Sequence, residues 1–117
     1  MLPQIAVRHY GPVDIIDLAG RITMGDGCAV VRNAVRELVN AGSRNILLNL
    51  QAVSYVDSAG LGEMAGSYVT VAKLGGQLKL LHAQARIDTM LQVTKLYALL
   101  VSFGDEAEAL KSFDAAR

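Results

Sequence analysis

From residue 13 onward, short aliphatic runs alternate with longer amphipathic ones. That alternation predicts an α/β fold in one domain, with a mixed, mostly parallel sheet of four to five strands packed with about four helices. Two further observations support it. Only Gly11-Pro12 separates the first two aliphatic runs, which suits an antiparallel pair, whereas each later connection is long enough for a right-handed helical crossover. The chain has 117 residues, 52% of them hydrophobic and 19% charged, enough apolar material for one core between layers and too little length for a second lobe.

The elements follow in order. Gln4 to Tyr10 reads as a short strand and Val13 to Ala19 as a second, rich in β-branched residues. Gly20 and Gly25-Asp26-Gly27 loosen the chain before a helix from Asp26 to Asn40. Its Val30, Val31, Ala34, Val35, Leu38 and Val39 recur at helical spacing, with Arg32, Arg36 and Glu37 on the outer face. Gly42 stops it. Asn45 to Leu50 is a third strand, almost wholly apolar and therefore the most buried. The chain then turns through polar residues and begins a second helix at Ser58, which runs to Leu74 and ends at Gly75-Gly76. Gln77 to Leu81 is a fourth strand, Gln84 to Lys95 a third helix, Leu99 to Phe103 a short edge strand, and Asp105 to Phe113 a last helix with acidic residues near its positive end.

Sites in such sheets lie beyond the C-terminal ends of the strands. Gly20 to Gly25, Asp57-Ser58 and His82 all fall at that edge. Ser58 sits at a helix start, and Gly60 and Gly62 in the opening turn leave its surroundings clear of side chains. Ser58 is therefore the expected functional centre.

Several chemistries are open to such a serine. Asp57, Ser58 and His82 invite a hydrolase reading, but an esterase elbow needs glycine two residues before the serine and Val56 stands there. Gly60, Gly62 and Gly66 hint at a dinucleotide loop, yet Leu80-Leu81-His82-Ala83 offers no acid for a ribose. A regulated binding turn fits better. The helix N-terminus accommodates a phosphate, whose charge of about −1.5 to −2 would sit beside Asp57 and close to Glu63.

Eleven basic residues balance eleven acidic ones, which argues against direct nucleic-acid binding. The single cysteine, Cys28, falls in an apolar helical pattern and reads as a small buried hydrophobe. No cofactor or metal is expected. The N-terminus lacks the pattern of a signal peptide and no run approaches the roughly 18 apolar residues of a membrane span, so a cytoplasmic protein is expected.

The stretch Val56-Asp57-Ser58-Ala59-Gly60-Leu61-Gly62 resembles the signature of the STAS domain found in bacterial anti-sigma-factor antagonists. Ile16 to Arg21, Asn45 to Leu50 and Gly75 to Leu80 resemble that family's second, third and fourth strands, so the likeness spans nearly the whole chain. It implies a STAS-like fold over residues 1–117 and a partner switch without catalysis of its own. In that cycle the unmodified protein binds an anti-sigma factor with serine kinase activity. Phosphorylation of Ser58 releases it, and a serine phosphatase reverses the mark. Thr23, Asp26, Asp57, Ser58, Ala59, Gly60, Leu61, Gly62 and Met64 would form the partner-binding set, with Tyr68 further along the same helix.

Two positions depart from the family. Thr23 stands where many members carry aspartate, with Asp26 three residues on, and Lys95 replaces glycine in Thr94-Lys95-Leu96. The alternative reading is a STAS binding module of another machine, such as a transporter ATPase subunit or a nucleotide- or lipid-sensing module, that is not phosphorylated.

Overall fold

A computed structural model describes residues 2–114. Strand β1 (Gln4–Tyr10) pairs antiparallel with β2 (Val13–Ile22), and β3 (Asn45–Val56), β4 (Gln77–Leu81) and β5 (Ser102–Phe103) extend the sheet in parallel, in the order β1-β2-β3-β4-β5. The helices are α1 (Asp26–Asn40), α2 (Ser58–Lys73), α3 (Ala85–Thr94) and α4 (Glu106–Asp114). The α/β class, the antiparallel opening pair and the parallel remainder match the sequence expectation.

The period of two along each strand sorts residues between two cores. Ile16, Leu18, Ile46, Leu48, Leu78 and Leu80 face α1, α2 and α3 and build the larger one. Val13, Ile15, Leu47 and Leu81 point to the other face, where Ala109 and Phe113 of α4 cover them. Leucine and isoleucine on both sides explain why β3 shows no polar alternation in its first half: both its faces are buried there. Beside α4 the second face turns polar. Arg8 of β1 spans Asp17 of β2 and Glu106 of α4, and Asn49 donates to Asp17. Arg8 holds both carboxyls below their usual range.

The structure lengthens the second and third strands beyond the sequence reading. The run after Leu50 is not a turn. It continues as strand to Val56 because β2 continues to Ile22, and the two pair as Ala19↔Ala52, Gly20↔Val53, Arg21↔Tyr55 and Ile22↔Val56. Two register shifts absorb the extra residues, and such bulges break the alternation by which a strand is recognised. On its other side β3 has outrun β4, and Gln84 takes over: its side-chain amide donates to the carbonyls of Gln51 and Val53. This also fixes Gln84 as the residue before α3.

The remaining differences are at ends. Asp105 caps α4 from outside, accepting from the Glu108 N–H. The run Leu99 to Phe103 yields only two strand residues, because a 3-10 turn at Leu96–Ala98 carries Leu100 into the core.

Candidate functional site

Asp57 joins two loops at the C-terminal edge of the sheet. It is the N-cap of α2, its carboxylate accepting from Gly60 N–H at 2.7 Å and from Met24 N–H, in the β2–α1 loop, at 3.0 Å. Its own N–H donates to the Ile22 carbonyl at 3.3 Å. The Met24 and then the Gly60 donors hold the Asp57 carboxyl below the usual carboxylate range, so it is ionised at neutral pH. One side chain thus caps a helix and pins the neighbouring loop against it.

Gly60 sets how close α2 comes to the sheet. A Cβ on Gly60 would lie 2.2 Å from the Ile22 carbonyl oxygen and 3.0 Å from Val56 Cγ1. Only a residue without a side chain lets the first helical turn rest on the end of β2. Gly62, by contrast, has nothing within 4 Å of the equivalent position and faces solvent. The two glycines have different jobs: one permits a close approach and the other keeps the surface bare.

That close packing decides which residues can meet another protein. Ser58 is exposed as the first residue of α2, Gly62 is exposed one turn on, and Ala59 and Asp57 are half-buried. Gly60, Leu61 and Met64 must be withdrawn from the expected contact set. Leu61 is 2% and Met64 0% exposed, both in the larger core, and Gly60 lies against β2. Tyr68 packs against the same core and is half-buried. The outward stripe of α2 is Ser58, Gly62, Gly66, Val69, Thr70 and Lys73. The opening of α2 is apolar nearly all round, so its phase was not readable from the sequence.

Thr23 is half-buried and Asp26 exposed at the start of α1; neither shares a hydrogen bond with Ser58 or Asp57 among the described residues. Among the described residues no hydrogen bond joins the Ser58, Asp57 and His82 side chains as a hydrolase would need. The Asp57 carboxylate accepts from backbone N–H groups, and His82, at φ 55°, donates its backbone N–H to the Phe103 carbonyl. Cys28 is buried, and desolvation, aided by Glu63 and Asp57, pushes its thiol up. Among the described residues no three His, Cys, Asp or Glu side chains group as they would around a metal, and no helix is long and apolar enough to cross a membrane.

The sequence reading missed Met24. Met24 is 78% exposed while its N–H is held by the carboxylate of Asp57, the residue before Ser58, so an apolar side chain projects from a backbone anchored to that turn. Arg32 also belongs here rather than on a free outer face, since it reaches Glu63 of α2 at 2.8 Å and ties the two helices together.

Residues 4–109 match the family model described as the STAS domain. Among curated proteins, the chain is 22% identical to an anti-sigma F factor antagonist of Paenibacillus polymyxa over 111 residues, 95% of each chain. It is 33% identical to an anti-sigma-B factor antagonist of Bacillus subtilis (strain 168) over 81 residues, 69% of this chain and 72% of that one. Its fold is similar to the crystal structure of an anti-sigma factor antagonist from Mycobacterium paratuberculosis, at TM-score 0.85 and 18% identity, covering 96% of this chain and 94% of that one. It is also similar to the Bacillus cell fate determinant SpoIIAA in its phosphorylated form, at TM-score 0.72 and 20% identity, covering 97% and 100%. The match over residues 4–109 takes in the strands, the Asp57-capped turn and α2 alike, and the chain belongs to the STAS domain family.

Proposed function

We propose that this protein is an anti-sigma-factor antagonist working by partner switching. It binds an anti-sigma factor that is also a serine kinase, and it is released when that kinase phosphorylates Ser58. A separate serine phosphatase resets it. The chain contributes a binding surface and an acceptor hydroxyl, with no catalysis of its own.

The observation that carries this reading is the placement of Ser58: an exposed hydroxyl at the first position of α2, beside an ionised Asp57, on a turn held still by two backbone contacts. A kinase can reach the hydroxyl without unfolding anything. The phosphoryl group then sets a charge of about −1.5 to −2 beside the existing carboxylate. The helix dipole tolerates that charge within the protein, but an acceptor-rich or apolar partner surface pressed over the turn does not. The switch therefore needs no rearrangement of the fold. The named antagonists among the relatives support the role.

The test is to incubate the purified protein with its cognate anti-sigma kinase and ATP and follow the intact mass. One added phosphoryl group that maps to Ser58, and that is absent from Ser58→Ala, is the expected result. Stable complex formation with no incorporation would overturn the phosphorylation step and assign the chain to STAS modules that dock without modification.

A further inference from the structure

Two arginines share one aromatic ring at the sheet edge that carries Ser58. Arg21, the penultimate residue of β2, pairs in register with Tyr55 near the end of β3, and Arg86 is the second residue of α3. The guanidinium carbon of Arg21 lies 4.7 Å from the Tyr55 ring centroid, and that of Arg86 lies 5.0 Å from it. Both fall within the ~6 Å range of a cation–π contact. Tyr55 is half-buried while both arginines are exposed. The fold holds the ring, and the ring holds the two cations at the surface.

What the pair lacks is an anion. Arg8 is met by Asp17 and Glu106, Arg32 by Glu63, and Arg44 donates to the carbonyls of Val39 and Ser43. Among the described residues no carboxylate lies within ion-pair distance of Arg21 or Arg86, and neither donates a hydrogen bond to an acceptor. Arg36 is similarly bare, but no ring aligns it. Acidic and basic residues are equal in number, so the pair is not an overflow of positive charge; its counter-charges are placed elsewhere. Two guanidiniums set against one ring concentrate positive charge around Tyr55 with no carboxylate to answer it. Because stacking has already restricted their side chains, gripping a carboxylate costs them less freedom than it costs a loose arginine.

We propose that Arg21 and Arg86, aligned on Tyr55, form an anion clamp that receives carboxylate side chains of the protein docking over the Ser58 turn. The proposal rests on the reading of that turn as a docking site, and charge complementarity identifies the occupant as an acidic segment. The docking face then extends from the start of α2 past Met24 to the ends of β2 and β3 and the start of α3. The clamp gives the contact its direction, since two fixed cations meet a matching pair of acids in one orientation only.

A titration of the isotopically labelled full chain with a hexaglutamate peptide, followed residue by residue by NMR, tests this without any kinase. Inorganic phosphate at matched ionic strength forms a second arm. The expected result is saturable shifts centred on Arg21, Tyr55 and Arg86, weakened by added salt. The affinity should fall about ten-fold in the Arg21→Gln, Arg86→Gln double variant, whose surface substitutions leave the rest of the spectrum in place. Tyr55→Leu should weaken binding several-fold while retaining both charges. Absence of saturable shifts at these residues, or equal binding by the double variant, would overturn the proposal. So would phosphate shifting the same resonances as tightly as the peptide, which marks a small-ion site. Phosphorylation of Ser58 is measured separately, so its failure and the failure of the clamp are read in different experiments.

Discussion

Gly60→Ala tests whether the presentation of Ser58 depends on the closeness of α2 to the sheet. On helix propensity alone the change should stabilise the protein by about 1 kcal/mol. The structure predicts the opposite. The new methyl carbon would stand 2.2 Å from the Ile22 carbonyl oxygen, and the obstruction is backbone, which cannot swing aside as a side-chain tip can. Either the first turn of α2 lifts or the end of β2 shifts. Overpacking of this kind costs about 1–3 kcal/mol, with backbone clashes at the upper end, which leaves a net loss of about 2 kcal/mol. For a domain of this size that lowers Tm by about 8 °C. Gly62→Ala is the internal control: nothing lies within 4 Å of the added methyl, so the propensity gain of about 1 kcal/mol should appear undiminished. Urea denaturation, with the slope unchanged between variants, measures both. If Gly60→Ala proved as stable as the parent, the close approach would not be what fixes this turn, and the account of Ser58 presentation would fail.

Further outcomes follow from other residues. Ser58→Ala should bind the anti-sigma partner as the parent does, whereas Ser58→Asp should bind at least about ten-fold more weakly by calorimetry; equal affinities would remove charge as the switch. Met24→Glu should weaken the same complex without changing Tm, because the side chain is 78% exposed and only its N–H is engaged. Lys95 occupies the left-handed region at φ 62°, so Lys95→Gly should stabilise the fold by about 1 kcal/mol in the same urea assay. Arg8 lowers the folded pKa of Asp17 and Glu106, so its contribution is present above the unfolded carboxylate pKa and is lost as pH falls through the folded values. Arg8→Met should therefore cost about 1 kcal/mol at pH 7, a modest figure for a solvent-screened network, and the gap to the parent should close as the pH is lowered from about 5 to about 2.

The departure at Lys95 shows how far a local rule carries. The family's glycine at that position suits a left-handed helix end, and the structure places Lys95 in that conformation at the close of α3. The lysine is tolerated there at a cost in strain. At Gly60 and Gly76 the sequence shows only that glycine is present. The reason is tertiary in both cases: a Cβ on Gly76 would lie 2.2 Å from the Arg44 carbonyl oxygen, contributed by a different part of the chain.

By itself the sequence determined the α/β class, the antiparallel opening hairpin, the bounds of α1 and β4 and the position of Ser58 at a helix start, because each depends on neighbours a few residues away. Only the tertiary structure decided that β2 and β3 run on past their polar residues, since their partners are each other and bulges erase the period. It alone decided that Leu61 and Met64 are core while Met24 projects, because a helix opening that is apolar nearly all round carries little phase of its own and the packing against β2 and β3 supplies it. The Arg21–Tyr55–Arg86 stack lies furthest from sequence reasoning. Its three residues come from two strands and a helix, and nothing in their spacing announces that they meet.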